Sequence, residues 1–528
     1  MNDLLPIMGK NYRDDCMSEI TKPGTQWDIV VIGGGATGLG IALDAITRGY
    51  KTLLIEQSDF AKGTSSRSTK LIHGGVRYLG QGNIKLVFDA LKERGILLRN
   101  APHLIKKQLF VIPCYTHFER IKYFIGLKLY DWLSGTLSFG SSKSISSKKL
   151  LQLFPTINNQ NLKGGVTYFD GQFDDARLAI NLAKTATEKG AVVLNYCKVT
   201  ALTKENKKLD GVIVIDLEEK KEFHLKTKAV INATGVFVDE ILKMDEASNK
   251  PLVRPSQGVH LVVGKRFLEG TNALLIPETP DNRVLFAVPW HNHVLLGTTD
   301  TPLTQHSLEP VALEKEIDFI LETVGQYLQI APSKEDILTV FAGLRPLAAS
   351  QNNKEKTKEI SRDHKIIISS SGLITITGGK WTTYRKMADD TIKSAIKNGL
   401  VPVSVCQTNK IPIHGFTTVV ENSHLDIYGS DAEKIKLLQK KNGWMQEQII
   451  AEMPYTKAEI VWCIRYEMAR TIEDLLARRL RILFLDARAA MKAAPVVGEI
   501  LRKELLQTEE WKQSQITNFL KLAKGYLP

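Results

Sequence analysis

Cysteine is scarce in these 528 residues. The five present, Cys16, Cys114, Cys197, Cys406 and Cys463, fall in no CxxC or other metal-ligand spacing, and their number is odd. Neither a disulfide framework nor a metal site is therefore expected, and a reducing compartment fits. Long apolar runs are also lacking. The longest uncharged stretches are Ile29–Leu43, Val284–Thr299 and Ile366–Gly379, and each contains Gly, Ser, Thr, Pro or His. A membrane span needs about 20 mainly apolar residues, so any contact with a bilayer is expected at its surface. Residues 1–26 lack a basic stretch followed by an apolar core, which argues against a secretory signal. They read as an N-terminal extension without an assignable role. No internal repeat or low-complexity tract is found.

Positive charge, by contrast, is plentiful. Lys and Arg number 70 against 57 Asp and Glu, for a formal net charge of +13. That excess suits nucleic acid, an anionic membrane surface or an anionic substrate, with a solvated basic surface as the plain alternative. The lysines are scattered rather than gathered on an aromatic-studded stripe, which argues against nucleic acid. A chain this long exceeds one compact core, so two or three domains are expected.

Three zones follow one another. From Trp27 to about Leu400, apolar β-type runs alternate with Gly-rich turns and helical patterns, as in Asp28–Ile32, Thr52–Ile55, Ala229–Asn232 and Ile374–Thr377. Residues 401–429 hold Pro402, Pro412, Gly415 and a Thr417–Thr418 pair, and read as a linker. Residues 430–528 read as helical. Ile464, Met468, Ile472, Leu475 and Leu476 recur at three- and four-residue spacing, which predicts one amphipathic helix through them.

The strongest motif stands at the start. A strand, Asp28–Ile32, runs into Gly33-Gly34-Gly35-Ala36-Thr37-Gly38, then a helical stretch Leu39–Arg48, then a second strand Thr52–Ile55 ending in Glu56. Gly33 permits the tight turn, Gly35 lets the backbone approach a pyrophosphate, and Gly38 lets helix and strand pack closely. The helix N-terminus offers N–H groups and a positive dipole end to phosphates. Glu56 is placed to accept hydrogen bonds from a ribose. The competing reading is a Gly-rich turn of some other α/β domain.

This unit alone leaves FAD and NAD both open. Two further strand ends bear on the choice. Val230-Ile231-Asn232-Ala233-Thr234-Gly235 ends in a small-residue turn, and Leu373–Thr377 ends in Gly378-Gly379-Lys380 before a helical pattern opens at Trp381. Such strand ends can converge on one extended cofactor, although each by itself can be merely a turn.

The chain resembles the FAD-dependent glycerol-3-phosphate dehydrogenases of the bacterial respiratory and mitochondrial type. The resemblance runs over nearly all of it from Trp27. It rests on Thr64–Leu79 (TSSRSTKLIHGGVRYL), Phe173–Leu178, Asn232–Gly235, Gly297–Asp300, Gly343–Leu347, Gly378–Arg385 and Arg465–Asp474. It implies a Rossmann-like FAD-binding domain within an α/β fold, α+β overall. An antiparallel-sheet substrate domain is inserted in it, and an all-helical domain closes the chain. On that pattern residues 27–100, 165–255 and 340–400 form the FAD domain, and 101–164 and 256–339 the substrate domain. The implied reaction is sn-glycerol 3-phosphate to dihydroxyacetone phosphate, with electrons leaving to ubiquinone or menaquinone. The implied location is cytoplasmic, peripheral on the inner face of the cell membrane. A homodimer is left open.

Site residues follow from chemistry and motif together. A phosphate monoester suits arginine, whose donors form bidentate pairs. Motif matching places Arg345 and Arg362 at the phosphate, with Arg77, Tyr78 and Lys380 nearer the reacting alcohol and the flavin. The family often has an aromatic residue where His364 stands, which weakens the assignment beside Arg362. Hydride loss from C2 needs a base for the hydroxyl proton, and histidine is the usual one. His73, in Leu71-Ile72-His73-Gly74-Gly75, is the first candidate and His260 the second. Arg345 and Lys380 are assigned with His73 to catalysis. Cofactor contacts are expected from Gly33, Gly35, Ala36, Thr37, Gly38, Glu56, Ser65, Ser66, Val199, Gly235, Gly378, Gly379, Lys380 and Thr382.

Three alternatives remain in view. An FAD-dependent amine or amino-acid oxidase of similar fold would bind a carboxylate. A glycerol-3-phosphate oxidase would use oxygen as acceptor. A basic nucleic-acid-binding protein would not be an enzyme at all. One more stretch bears on the acceptor. In Phe118–Leu133, the residues Phe118, Ile121, Ile125, Leu129 and Trp132 fall on one helical face, with Arg120, Lys122 and Lys128 elsewhere. That is the pattern of a basic helix lying in a membrane interface, or of a helix packed on the substrate domain.

Overall fold

The computed structural model describes residue 8 and residues 11–80, 82–248, 250–280, 283–348 and 363–528. Arg362, and the side chain of Arg77, lie outside the described residues.

Two sheets organise the chain. The first is built on Gln26–Ile32, whose apolar run is buried between parallel neighbours. Val30 faces Val230 of Glu222–Asn232 on one side and Leu53 of Thr52–Ile55 on the other. Ile374–Gly378 and Val192–Leu194 extend the parallel order outward. Parallel strands covered on both faces read as continuous apolar runs rather than as alternation, which is why these were legible. The helices Asp175–Glu188 and Tyr384–Lys397 pack on the helix Ala36–Thr47. Cys197–Glu205 and Lys208–Asp216 add antiparallel strands to Glu222–Asn232.

Ten strands, among the described residues, form the second sheet, and they are mostly antiparallel. Its two longest pairings are Val253–Gly264 with Ile337–Ala348 and Ile105–Cys114 with Gly164–Phe173. The α/β fold with an inserted antiparallel sheet and a helical C-terminal domain is thus present, but the boundaries move. Leu71–Ile72, Gly164–Phe173, Val253–Gly264 and the whole of Ile337–Ala348 belong to the second sheet. Ladder partners distant in sequence decide where a strand belongs, and local composition does not record them.

Three further expectations are corrected. Residues 1–26 hold a helix, Tyr12–Thr21, over the edge strand Val192–Leu194. Tyr12 Oη accepts from the Val193 amide at 3.1 Å, and Arg13 reaches Asn195 O at 2.6 Å and Asp216 at 2.7 Å. The extension therefore shields a sheet edge that would otherwise be open to pairing. Residues 401–429 are pinned rather than loose: the Ile413 amide donates to Asn100 O at 2.8 Å, and Tyr50 Oη lies 2.6 Å from Ser404 Oγ.

The single helix predicted through Ile464 and Leu476 is interrupted. Helix Lys457–Tyr466 stops, Met468 adopts a positive φ of 55°, and a π-turn follows over Asp474–Arg479. Arg479 donates to Glu467 O at 2.7 Å and Asn195 to Met468 O at 2.9 Å. These buried donors take carbonyls that a continuous helix would have used itself. The helical domain seats on the second sheet through Phe484 and Phe341, whose rings are 4.8 Å apart. The Val340 amide donates to Tyr526 O at 2.8 Å.

Candidate active site

One cavity of about 350 Å³ joins the two sheets. Its first end is the dinucleotide turn. Gly33 has φ of +110°, a conformation few other residues adopt, and a Cβ there would press on Ala233 O at 2.7 Å. Gly35 caps the helix Ala36–Thr47, and a Cβ on it would stand 3.0 Å from Ser65 Oγ, which accepts from the Ala36 amide at 2.9 Å. Glu56 accepts from the amides of Gly34 at 2.6 Å and Ser58 at 2.8 Å. Burial raises its carboxyl above the usual glutamate range despite these two bonds. Val199, Ala233 and Gly235 continue the wall.

The second end lies where Gly378, Gly379, Lys380, Trp381 and Thr382 meet the second sheet. Trp381 Nε1 donates to Ser65 O at 2.8 Å, tying the last strand end of the first sheet to the loop behind the dinucleotide turn. Lys380 Nζ lies 4.0 Å above the Tyr78 ring. His73 lines the cavity, and its backbone N–H donates to Thr382 Oγ1 at 3.2 Å. Arg345 Nη2 donates to Thr299 O at 2.9 Å and Thr298 Oγ1 at 3.2 Å, and Nη1 to Asp300 and Gln257 O, both at 3.3 Å. His260 stacks on Phe341, with ring centroids 4.9 Å apart, and its Nε2 sits 2.9 Å from Thr69 Oγ1. Its buried Nδ1 has no hydrogen-bond partner among the described residues. Burial, with Lys70 and Arg345 nearby, holds the His260 pKa far below the ordinary histidine value.

Of the cofactor residues expected from sequence, two do not line the cavity. A Cβ on Gly38 would collide with Gly33 O, so this glycine serves helix–strand packing. Ser66 is buried behind the site, where its carbonyl accepts from Lys70 at 2.7 Å and Arg481 at 2.9 Å. Sequence reading missed Lys62, Phe237, Ile241, Met244 and Gly258, which do line it. Phe237 follows the recognised turn at Gly235 by two residues, a signal that could have found it; Ile241 and Met244 lie on the next helix and Lys62 in the loop beyond Glu56. Gly258 arrives from the other sheet and had none.

The donor set fits an extended dinucleotide. A helix N-terminus and Ser65 stand at one end, an acid beside the turn, and a glycine-lysine strand end at the other. The family model described as "FAD dependent oxidoreductase" matches residues 28–385, and that described as "C-terminal domain of alpha-glycerophosphate oxidase" matches 371–515. The mitochondrial glycerol-3-phosphate dehydrogenase of Arabidopsis thaliana is 40% identical, over 95% of this chain and 86% of the relative. The chain belongs to the FAD-dependent glycerol-3-phosphate dehydrogenases.

Other members of that family agree. The human mitochondrial glycerol-3-phosphate dehydrogenase is 38% identical over 95% of this chain and 74% of its own length. The crystal structure of the glycerol-3-phosphate dehydrogenase from Bacillus halodurans, complexed with FAD, superposes with a TM-score of 0.80. It is 29% identical and covers 99% of each chain. The α-glycerophosphate oxidase of Mycoplasma pneumoniae shares the fold, with a TM-score of 0.56 at 17% identity over 73% of this chain and 98% of its own. FAD is the cofactor of this dehydrogenase family.

Proposed function

We propose that this chain oxidises sn-glycerol 3-phosphate to dihydroxyacetone phosphate and passes the electrons to a membrane quinone, ubiquinone or menaquinone. One observation carries the reading: the dinucleotide turn and the cationic pair Arg345 and Lys380 open into the same cavity. FAD, when bound along the Gly33–Thr37 turn, supplies the hydride acceptor. Arg345, braced by Asp300 and the Thr299 carbonyl, holds a fixed positive charge toward the phosphate. The motif resemblance assigns Arg362 to the same task and Arg77 to the alcohol end. Lys380, held over Tyr78, places positive charge beside the oxygen that loses its proton. Two histidines stand near. A base held far below its ordinary pKa accepts a proton poorly, so His260 orients the substrate as a neutral ring and His73 takes the proton.

The acceptor reading rests on helix His117–Ser134. Its inner face buries Leu127, Tyr130 and Ser134. Phe118, Ile121, Ile125, Leu129 and Trp132 are exposed, Phe118 by 74% and Trp132 by 76%. Ile84 and Phe88, on the neighbouring helix Ile84–Asn100, are exposed as well. So many large apolar groups on one surface mark a contact. The flanking Lys122 and Lys128 suit an anionic lipid surface. No helix among the described residues is long and apolar enough to cross a membrane. The chain therefore lies on the inner face of the cell membrane in this reading.

Anaerobic spectroscopy tests it. Glycerol 3-phosphate should bleach the flavin absorbance of the purified protein, while glycerol and a D-amino acid should not. Absence of bleaching removes the substrate reading. Oxygen as acceptor is a second reading, favoured by the match to an oxidase C-terminal domain. Rapid reoxidation by oxygen without reaction with a quinone analogue would replace the quinone.

A further inference from the structure

Beneath the His73–Gly75 turn lies a buried polar chain that none of the assigned site residues explains. Tyr130, on the inward face of helix His117–Ser134, accepts a hydrogen bond from the Gly74 amide at 2.8 Å. Its hydroxyl donates to Asp170 Oδ2 at 2.8 Å. Arg94 Nη1 reaches the same carboxylate at 2.5 Å, and the Arg94 guanidinium lies 4.2 Å above the Phe139 ring. All three polar side chains are at most 2% exposed. A Cβ on Gly74 would fall 2.5 Å from Tyr130 Oη and 2.6 Å from a Leu91 methyl, so the turn is seated directly on the hydroxyl.

The geometry leaves little freedom. A phenol has one proton, and here Asp170 takes it, so an oxygen lone pair is turned toward the Gly74 N–H. On one flank of Gly74, the His73 amide and carbonyl both meet Thr382 Oγ1, at 3.2 and 3.3 Å. On the other, Gly75 lies against the Tyr78 ring that carries Lys380. One amide thus anchors the middle of a turn whose two sides bear cavity groups.

We propose that Tyr130 is a positioning residue for substrate oxidation: through the Gly74 amide it sets the His73–Gly75 turn against the cavity, with Asp170 and Arg94 fixing its hydroxyl. This rests on the reading of that turn as part of the substrate site. Helix His117–Ser134 thereby connects an exposed apolar face to the reacting groups through one side chain. Replacing Tyr130 by Phe leaves the ring and its packing in place and removes the acceptor. The Gly74 amide then has to move to find another, and His73 and Tyr78 move with it.

The test uses full-length, FAD-loaded protein and compares Tyr130→Phe, Asp170→Asn and His73→Ala. Flavin reduction by glycerol 3-phosphate is followed anaerobically by stopped flow, alongside flavin content and Tm. Tyr130→Phe should slow reduction by about ten- to a hundredfold, the scale of an ångström-sized misplacement. The substrate concentration giving half the maximal rate should change less than the rate itself, and flavin content should stay near wild type. Should Tyr130→Phe not retain flavin, Asp170→Asn carries the same comparison. A purely structural role predicts a lower Tm and less flavin, with the flavin-loaded fraction reduced at the wild-type rate, and that result overturns the proposal. If His73→Ala slows reduction and Tyr130→Phe does not, the positioning role fails while the site reading stands. If His73→Ala reduces at the wild-type rate, the site reading itself fails.

Discussion

Arg479 and Asp59 form a two-point ion pair, Nη1 to Oδ2 at 2.8 Å and Nη2 to Oδ1 at 2.9 Å, with neither side chain exposed. Arg478 Nε adds a third bond to Asp59 at 2.6 Å. Two residues on, the Ala61 amide donates to Gly34 O at 2.9 Å. The helical domain is therefore tied to the dinucleotide turn through one short loop. Burial alone would raise the Asp59 carboxyl, but the two guanidiniums outweigh it and hold the group below the usual range. Arg479→Leu leaves half of that compensation missing inside the protein. A cost of about 3–5 kcal/mol is expected, together with flavin loss, while Arg479→Lys should be intermediate. Thermal melts and flavin fluorescence check this, and an unchanged melt would show that the pair does not join the two domains energetically.

Gly35→Val should yield folded, flavin-poor protein. A Cβ at Gly35 already meets Ser65 Oγ at 3.0 Å, and two further methyls enter the path of the cofactor. The ratio of flavin to protein absorbance reads the outcome. A full complement of FAD would mean the cofactor does not pass this turn.

Arg345→Ala should lower kcat/KM for glycerol 3-phosphate by about a hundredfold or more, at tenfold per ~1.4 kcal/mol. Flavin content should stay near normal, and Arg345→Lys should recover only part because a point charge cannot make the planar fork. Asp300 loses its partner in the alanine variant, so Tm should fall too. Steady-state kinetics separates the effects: a lower Tm with unchanged kcat/KM would make Arg345 a brace for Asp300 and nothing more.

Ile125→Glu and Trp132→Glu should each weaken binding to anionic liposomes by about tenfold or more, taking ~1.5 kcal/mol for one buried apolar side chain. Neither should affect melting, because both side chains are exposed. Added salt should weaken the wild type further by screening the basic flank. Sedimentation with vesicles measures all of this, and equal pelleting of wild type and variants would move the contact elsewhere.

The contribution of His414 to stability should fall with rising pH near neutrality. Burial pulls His414 down, but bonds to Asp431 at 2.6 Å and to Glu188 outweigh it, and its pKa is raised. Lys184 meets the same Asp431 at 2.7 Å. A raised folded pKa contributes fully below the unfolded value of about 6.5 and is lost as pH climbs through the folded one. Wild type should therefore lose Tm relative to His414→Gln as pH rises above about 6.5. A slope unchanged in the variant would assign the pH dependence to another group.

The sequence by itself determined what local order and short-range chemistry can carry. The βαβ unit from Gln26 to Glu56 was legible because a strand buried on both faces must be apolar throughout, and its turn must be glycine where backbone approaches backbone. The exposed stripe from Phe118 to Trp132 was legible because helical spacing alone sets which side chains share a face. Tertiary structure decided the rest. Ile337–Ala348 joined the second sheet because its ladder partner, Val253–Gly264, lies more than seventy residues away. The helix expected through Met468 broke because Asn195 and Arg479 compete for its carbonyls from distant or folded-back positions. Glu56 met two backbone amides, and Ser66 turned its carbonyl to Lys70 and Arg481 instead of facing the cavity. Spacing along a chain records which groups can share a face; which buried donors and acceptors meet is settled only when distant segments close on one another and each polar group must find a partner away from water.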